Sequence, residues 1–115
     1  MSIERFATTN VLSKVVRRND HIWISGLTAR DKAADVATQT ADILQQFDEY
    51  LAIAGSDRNR LVRVNIWLAD IRDFAAMNAA WEQWIPKDNL PARATVEAKL
   101  GGSHSLVEMM AEAFV

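Results

Sequence analysis

The chain contains no cysteine, which excludes disulfides, thiolate catalysis and cysteine-ligated zinc. It has no excess of either charge: thirteen Lys and Arg against fifteen Asp and Glu give a formal net charge of −2. A dedicated nucleic-acid binder usually carries a strong basic excess. No apolar run approaches the roughly 20 residues of a membrane span. The opening Met1-Ser2-Ile3-Glu4-Arg5-Phe6 lacks the apolar centre of a signal peptide. A phosphate loop, a dinucleotide glycine pattern and a nucleophile elbow are all missing. The two histidines, His21 and His104, have no partner at metal-ligand spacing, so a surface or hairpin role is expected and no metal. Ser25 stands without a His-Asp set and reads as a turn residue before Gly26. The expectation is a soluble cytoplasmic protein with neither a membrane nor a nucleic-acid partner.

What is present is apolar. Half of the 115 residues are hydrophobic, and four Trp, four Met and four Phe are a large load for this length. Residues 1–115 are expected to form a single domain. A chain this short leaves much apolar surface uncovered, and oligomerisation is the natural remedy. The tryptophans are expected in the core or at subunit contacts.

Periodicity supplies the elements. A short strand over Ile3 to Ala7 precedes two strands, Val15 to Arg18 and His21 to Ser25, joined by an Asn19-Asp20 turn and ended by Gly26. Val36, Thr40, Ile43, Leu44, Phe47, Leu51 and Ala54 fall at helical spacing after Asp35, an N-cap residue type, and before Gly55, a stop. Leu61 to Leu68 alternates, with Val62, Val64, Ile66 and Leu68 expected on one face and Arg63, Asn65 and Trp67 on the other. Arg58, Arg60 and Arg63 read as a solvated edge. Asp70 or Asp73 can cap a second helix striped by Phe74, Met77, Asn78, Trp81 and Trp84 or Ile85, which Pro86 ends. Asn78, polar within that stripe, is expected to bond a loop backbone in the core, with direct substrate contact as the lesser alternative. Two strands close the chain, Ala94 to Leu100 and Leu106 to Val115, around a Gly101-Gly102-Ser103 turn. The order β-β-β-α-β-α-β-β predicts an α+β layer fold with a mixed sheet and both helices on one face. The two strand-helix-strand crossings should run right-handed between parallel strands.

The residues that most resemble chemistry are Arg93, in Pro91-Ala92-Arg93, and Glu108, in Val107-Glu108. A guanidinium can grip a carboxylate through two parallel charge-assisted bonds. A carboxylate on a neighbouring strand can handle a proton or a water. Periodicity alone also allows both to lie on a solvated face, since Arg93 alternates with Thr95, Glu97 and Lys99, and Glu108 with Met110 and Glu112.

Several segments, in order, resemble the Rid (reactive-intermediate deaminase, or YjgF) family over nearly the whole chain. They are Ile24-Ser25-Gly26, the long helix ending Ala54-Gly55, Val64-Asn65-Ile66-Trp67-Leu68-Ala69-Asp70 and Asp73-Phe74-Ala75-Ala76-Met77-Asn78. Pro91-Ala92-Arg93-Ala94-Thr95-Val96-Glu97 followed by Val107-Glu108 is the most specific part. The resemblance implies a chorismate-mutase-like, ferredoxin-like α+β fold. It also implies a homotrimer, with three sheets around a central barrel and clefts between subunits. It further implies cofactor-independent hydrolysis of reactive enamines and imines, 2-aminoacrylate the type, to 2-keto acids and ammonia. Arg93 would hold the substrate carboxylate, Glu108 would orient or activate the water, and Ser25 and Thr95 would line the same cleft. Leu12-Ser13 stands where the family's best-studied branch has a cleft tyrosine, and Thr95 where it commonly has a cysteine, so the cleft should differ in shape and polarity. Two rival functions remain at this level. One is a trimeric small-acid-binding or regulatory module, which would gain nothing from Glu108. The other is an RNA-cleaving translation inhibitor, disfavoured by the charge balance and by the lack of a paired-histidine site.

Overall fold

The computed structural model describes residues 2–115. Its elements are β1 (Glu4–Thr8), β2 (Ser13–Arg18), β3 (His21–Thr28), α1 (Val36–Ile53), β4 (Leu61–Leu68), α2 (Phe74–Trp84), β5 (Ala92–Glu97) and β6 (Val107–Phe114), with short 3-10 turns at Arg58–Arg60 and Ile71–Asp73. This is the predicted order. Among the described residues no helix is long and apolar enough to cross a membrane.

The β2–β3 hairpin turns at Asn19, whose φ of 54° is the left-handed conformation that Asn tolerates. β3 does not stop at Gly26 as expected. It continues to Thr28, because an irregularity between Ile24 and Leu27 shifts its register against β6 and lets pairing resume beyond the glycine. Helix α1 starts where Asp35 accepts the Thr38 backbone N–H at 2.9 Å. It ends in a Schellman arrangement: Gly55, at φ 87°, donates to Ala52 O, and Ser56 N donates to Leu51 O at 2.8 Å. Asp70 caps the 3-10 turn leading into α2, whereas Asp73, the residue before α2, makes no side-chain cap bond. Ile85 leaves α2 with ψ 132°, the extended conformation that Pro86 imposes on its predecessor.

The sheet order is β1-β2-β3-β6-β4-β5. β4 and β5 pair in parallel across α2, while β6 lies antiparallel between β3 and β4. β3 and β4 therefore run parallel with β6 inserted between them. This arrangement corrects one expectation: the strands carrying Arg93 and Glu108 are not neighbours, because β4 separates them.

Both helices cover one face of this mixed sheet. Ile43, Leu44, Phe47 and Leu51 of α1 and Met77 and Trp81 of α2 form one core with Ile24, Val64, Ile66, Leu68 and Met109 of the sheet. Each large side chain fully removed from water contributes about 1.5–3 kcal/mol. Val62 departs from the predicted alternation. A register shift between Leu61 and Arg63 turns it outward to 39% exposure and puts Leu61 in the core instead. Two buried polar side chains in this layer find local partners: Thr40 donates to Val36 O at 2.7 Å, and Gln39 bridges two segments. Gln39 donates to Ala34 O and His104 O and accepts from Leu106 N, tying the loop before β6 to α1. Arg58 is more than a solvated edge, since it grips Asp48 through two bonds and donates to Trp84 O at 2.8 Å.

Gly55→Ala should cost about 1–2 kcal/mol, because an alanine is strained at positive φ and its Cβ would lie 2.9 Å from Arg17 Nη1. Urea titration should show a lower midpoint with an unchanged slope.

Candidate functional site

Strand pairing decides which face each candidate residue occupies. Arg93 pairs with Val64 and Thr95 with Ile66, both core-facing residues of β4. Arg93 and Thr95 therefore share the helix side of the sheet. Glu108 pairs with Trp67, three residues from Val64, and so belongs to the face without helices. One chain thus does not bring Arg93 and Glu108 together.

On the helix side, α2 builds a seat for Arg93. The guanidinium carbon lies 5.2 Å from the Trp81 ring centre and 5.7 Å from that of Phe74, within cation–π range. Burial lowers the Arg93 pKa from the ordinary arginine value, and nearby Glu82 partly opposes this. Among the described residues no carboxylate forms an ion pair with Arg93. Beside it opens a cleft of about 300 Å³ with Trp81, Ile85, Leu90 and Pro91 as its apolar lining and Asn78, Glu82 and Lys87 as its polar lining. A cation without an ion pair in a half-apolar cleft has the chemistry to hold a small anion. Thr95 has a buried Oγ1 without a hydrogen-bond partner among the described residues.

Asn78 corrects an expectation: of its two readings, the core one does not hold. It does not bond a loop backbone in the core. It is half-buried, lines the Arg93 cleft and donates to Glu82 Oε1 at 3.1 Å. The available signal was its place four residues before Glu82 on the stripe that also carries Phe74, Trp81 and Ile85.

On the open side, Glu108 lies against Gly26. A Cβ at position 26 would collide with Glu108 Oε2 and come within 3.3 Å of its carboxyl carbon. Glycine at 26 therefore makes room for that carboxylate. Ser25, the preceding residue, donates its hydroxyl to Ser13 O at 2.6 Å, which ties β3 to β2. Glu108 also lines a second cleft of about 220 Å³ with Trp67, Lys99 and Leu100. Further along the same face, Glu112 accepts from His21 Nε2 at 3.0 Å and pairs with Arg63. The His21 hydrogen bond is the main reason the Glu112 pKa is held below its ordinary range. The His21 ring is stacked on Trp23 at 3.9 Å and near Phe114 at 4.8 Å, which gives it the hairpin role expected of it.

The candidate residues thus fall into two half-sites, Arg93 and Thr95 on one face and Glu108 beside Ser25-Gly26 on the other. Among the described residues no group of three or more His, Asp or Glu could hold a metal ion.

A mixed six-stranded sheet with two helices on one face, an unpaired arginine on the parallel edge strand and a glycine-seated glutamate on the central strand define an α+β domain of the YjgF class of folds. The comparisons agree. The chain belongs to the Rid/YjgF family, and residues 2–115 match the family model described as endoribonuclease L-PSP. It is 36% identical over 114 residues to a RutC family protein of Haemophilus influenzae, covering 96% of each chain. It is 37% identical over 109 residues to the RutC family protein YoaB of Escherichia coli, covering 95% of each. A solved structure of a YjgF family member from Neisseria meningitidis superposes with a TM-score of 0.96 at 38% identity, covering 99% of this chain and 95% of that one.

Gly26→Ala should push the Glu108 carboxylate aside while the fold persists, because the displaced atoms are the free end of a flexible side chain. The Glu108 carboxyl carbon should shift in the NMR spectrum, and the melting temperature should fall by no more than about 4 °C.

Proposed function

We propose that this protein is a cofactor-independent imine deaminase acting on small reactive 2-imino acids and their enamine tautomers, with its active site shared between neighbouring copies in a homotrimer. The observation that carries this reading is the pair of half-sites on opposite faces of one sheet, each with half of the required chemistry. Arg93 has an unpaired guanidinium for a substrate carboxylate. Glu108 has a carboxylate with room for a water in the cleft it shares with Trp67 and Lys99. A second copy would bring one chain's Arg93 opposite another's Glu108. Exposed apolar side chains on the open face support such an assembly: Val96 at 51% and Met110 and Phe114 at 42%.

In this reading the Arg93 fork fixes the carboxylate and thereby the adjacent C=N carbon. An enamine first gains a proton on its terminal carbon to give the iminium acid, which is already electrophilic. Glu108 orients a water and accepts one of its protons as the oxygen bonds to that carbon. The proton passes to nitrogen, the carbinolamine's hydroxyl returns its proton to Glu108 as the C=O forms and the C–N bond breaks, and ammonia departs, taking up that proton as ammonium and leaving a 2-keto acid. Overall, one iminium acid and one water give one keto acid and one ammonium ion.

A small-acid-binding module would need the Arg93 cleft and not the Gly26-seated Glu108. The ribonuclease or translation-inhibitor reading draws on the descriptions of the family and of some of its members. His21 and His104 lie at opposite ends of β6, His21 opposite Phe114 and His104 before Val107, and His21 is engaged by Glu112.

The test is a coupled assay in which a lyase generates 2-aminoacrylate and keto-acid release is followed with and without this protein. Arg93→Ala should lower kcat/KM by about 30- to 1000-fold, roughly 2–4 kcal/mol, in a folded protein of unchanged mass, and Arg93→Lys should recover only part of it. Glu108→Gln should lower kcat by about 100-fold or more while leaving keto-acid binding intact. Sedimentation or light scattering at micromolar concentration should give the mass of three chains. A stable monomer, or full turnover in either variant, would refute the assignment.

A further inference from the structure

Arg93 shares its cleft with a charge of opposite sign that does not pair with it. Asn78 donates to Glu82 Oε1 at 3.1 Å, one helical turn away on α2. The carboxylate is thereby held along the helix, and Glu82 acts on Arg93 only through space, opposing the effect of burial on the guanidinium. Lys87 is a further cation at the same cleft, whose apolar floor includes Trp81 and Ile85. A cation and an anion kept apart across such a floor complement a small ligand that carries both signs at short separation.

We propose that Glu82, held in place by Asn78, is a specificity residue of the Arg93 cleft that receives the cationic nitrogen of a zwitterionic 2-iminio acid while Arg93 holds its carboxylate. The inference rests on the reading of this cleft as the carboxylate site. Its consequence is discrimination between substrate and product. The iminio acid carries one negative and one positive charge, and both find a partner. The keto acid keeps only its carboxylate, loses the attraction to Glu82 and is repelled by it. Glu82 therefore favours entry of the protonated imine and departure of the keto acid.

The experiment is a calorimetric titration of the intact protein at neutral pH with two unreactive probes, alanine as the zwitterion and pyruvate as the anion. Glu82→Gln should weaken alanine binding by about three- to tenfold and leave pyruvate unchanged or tighter, since Arg93 and Lys87 then face no anion. Asn78→Ala should move the ratio of the two affinities in the same direction by a smaller factor, because it loosens Glu82 without removing its charge. Arg93→Ala should weaken both probes alike. If Glu82→Gln changes both probes equally, or neither, while Arg93→Ala weakens both, the specificity role is wrong and the carboxylate site stands. If the unaltered protein binds neither probe, or Arg93→Ala changes nothing, the inference fails together with the reading beneath it.

Discussion

The arrangement of the candidate site depends on the insertion of β4 between β5 and β6. Side chains alternate across a pleated strand, so residues paired with Val64 and with Trp67 must emerge on opposite faces. Arg93 and Glu108 inherit that opposition. No rotamer of either can undo it, because the sheet and its core lie between them. The protein therefore has its candidate chemistry in two halves, each supported by a different element. α2 seats the arginine, and the irregular stretch of β3 around Gly26 seats the glutamate. The proposed trimer is the assembly that would turn this opposition into a site.

The two halves are supported by different physics. Arg93 loses hydration in its cleft, an unfavourable change for a cation, and is compensated by two ring faces rather than by an ion pair. Its hydrogen-bonding capacity is left for a ligand. Glu108 is placed by the missing side chain at position 26, a steric device that an alanine would already disturb. By contrast, Glu112, two pleats further along the same strand, is saturated by His21 and Arg63. Two glutamates on one face of one strand thus differ in availability, and the unpaired one is the one beside the glycine.

Element identity was legible in the sequence because each element carries its own period and punctuation. Asp35 and Gly55 bracket α1, Pro86 ends α2, and Asn19 makes the turn between β2 and β3. Two kinds of information were not local. The order of strands in the sheet depends on which edges find each other, and nothing in the span 94–115 says that β6 will pair with β3 and β4 rather than with β5. The irregularities at Ile24–Leu27 and Leu61–Arg63 each shift a register by one residue, which moves side chains to the other face. Val62 faces outward for that reason, and β3 runs three residues past its expected end at Ser25. Arg93 and Glu108 were found from residue type and motif, whereas their opposition became visible only with the sheet order. Asn78 reads as a core residue before a cleft residue because a polar side chain on an apolar stripe is ordinarily accounted for within the core.

The central claim is that one chain contributes Arg93 and another Glu108 to each site. It is tested most directly by refolding equal amounts of the Arg93→Ala and Glu108→Gln chains together and measuring deamination by the mixture. Random assembly into closed rings would pair an intact arginine with an intact glutamate at about one contact in four, so activity should recover to roughly a quarter of the unaltered protein's. Activity no greater than that of the two variants measured separately would mean that a single chain supplies both groups, contrary to the geometry of the sheet.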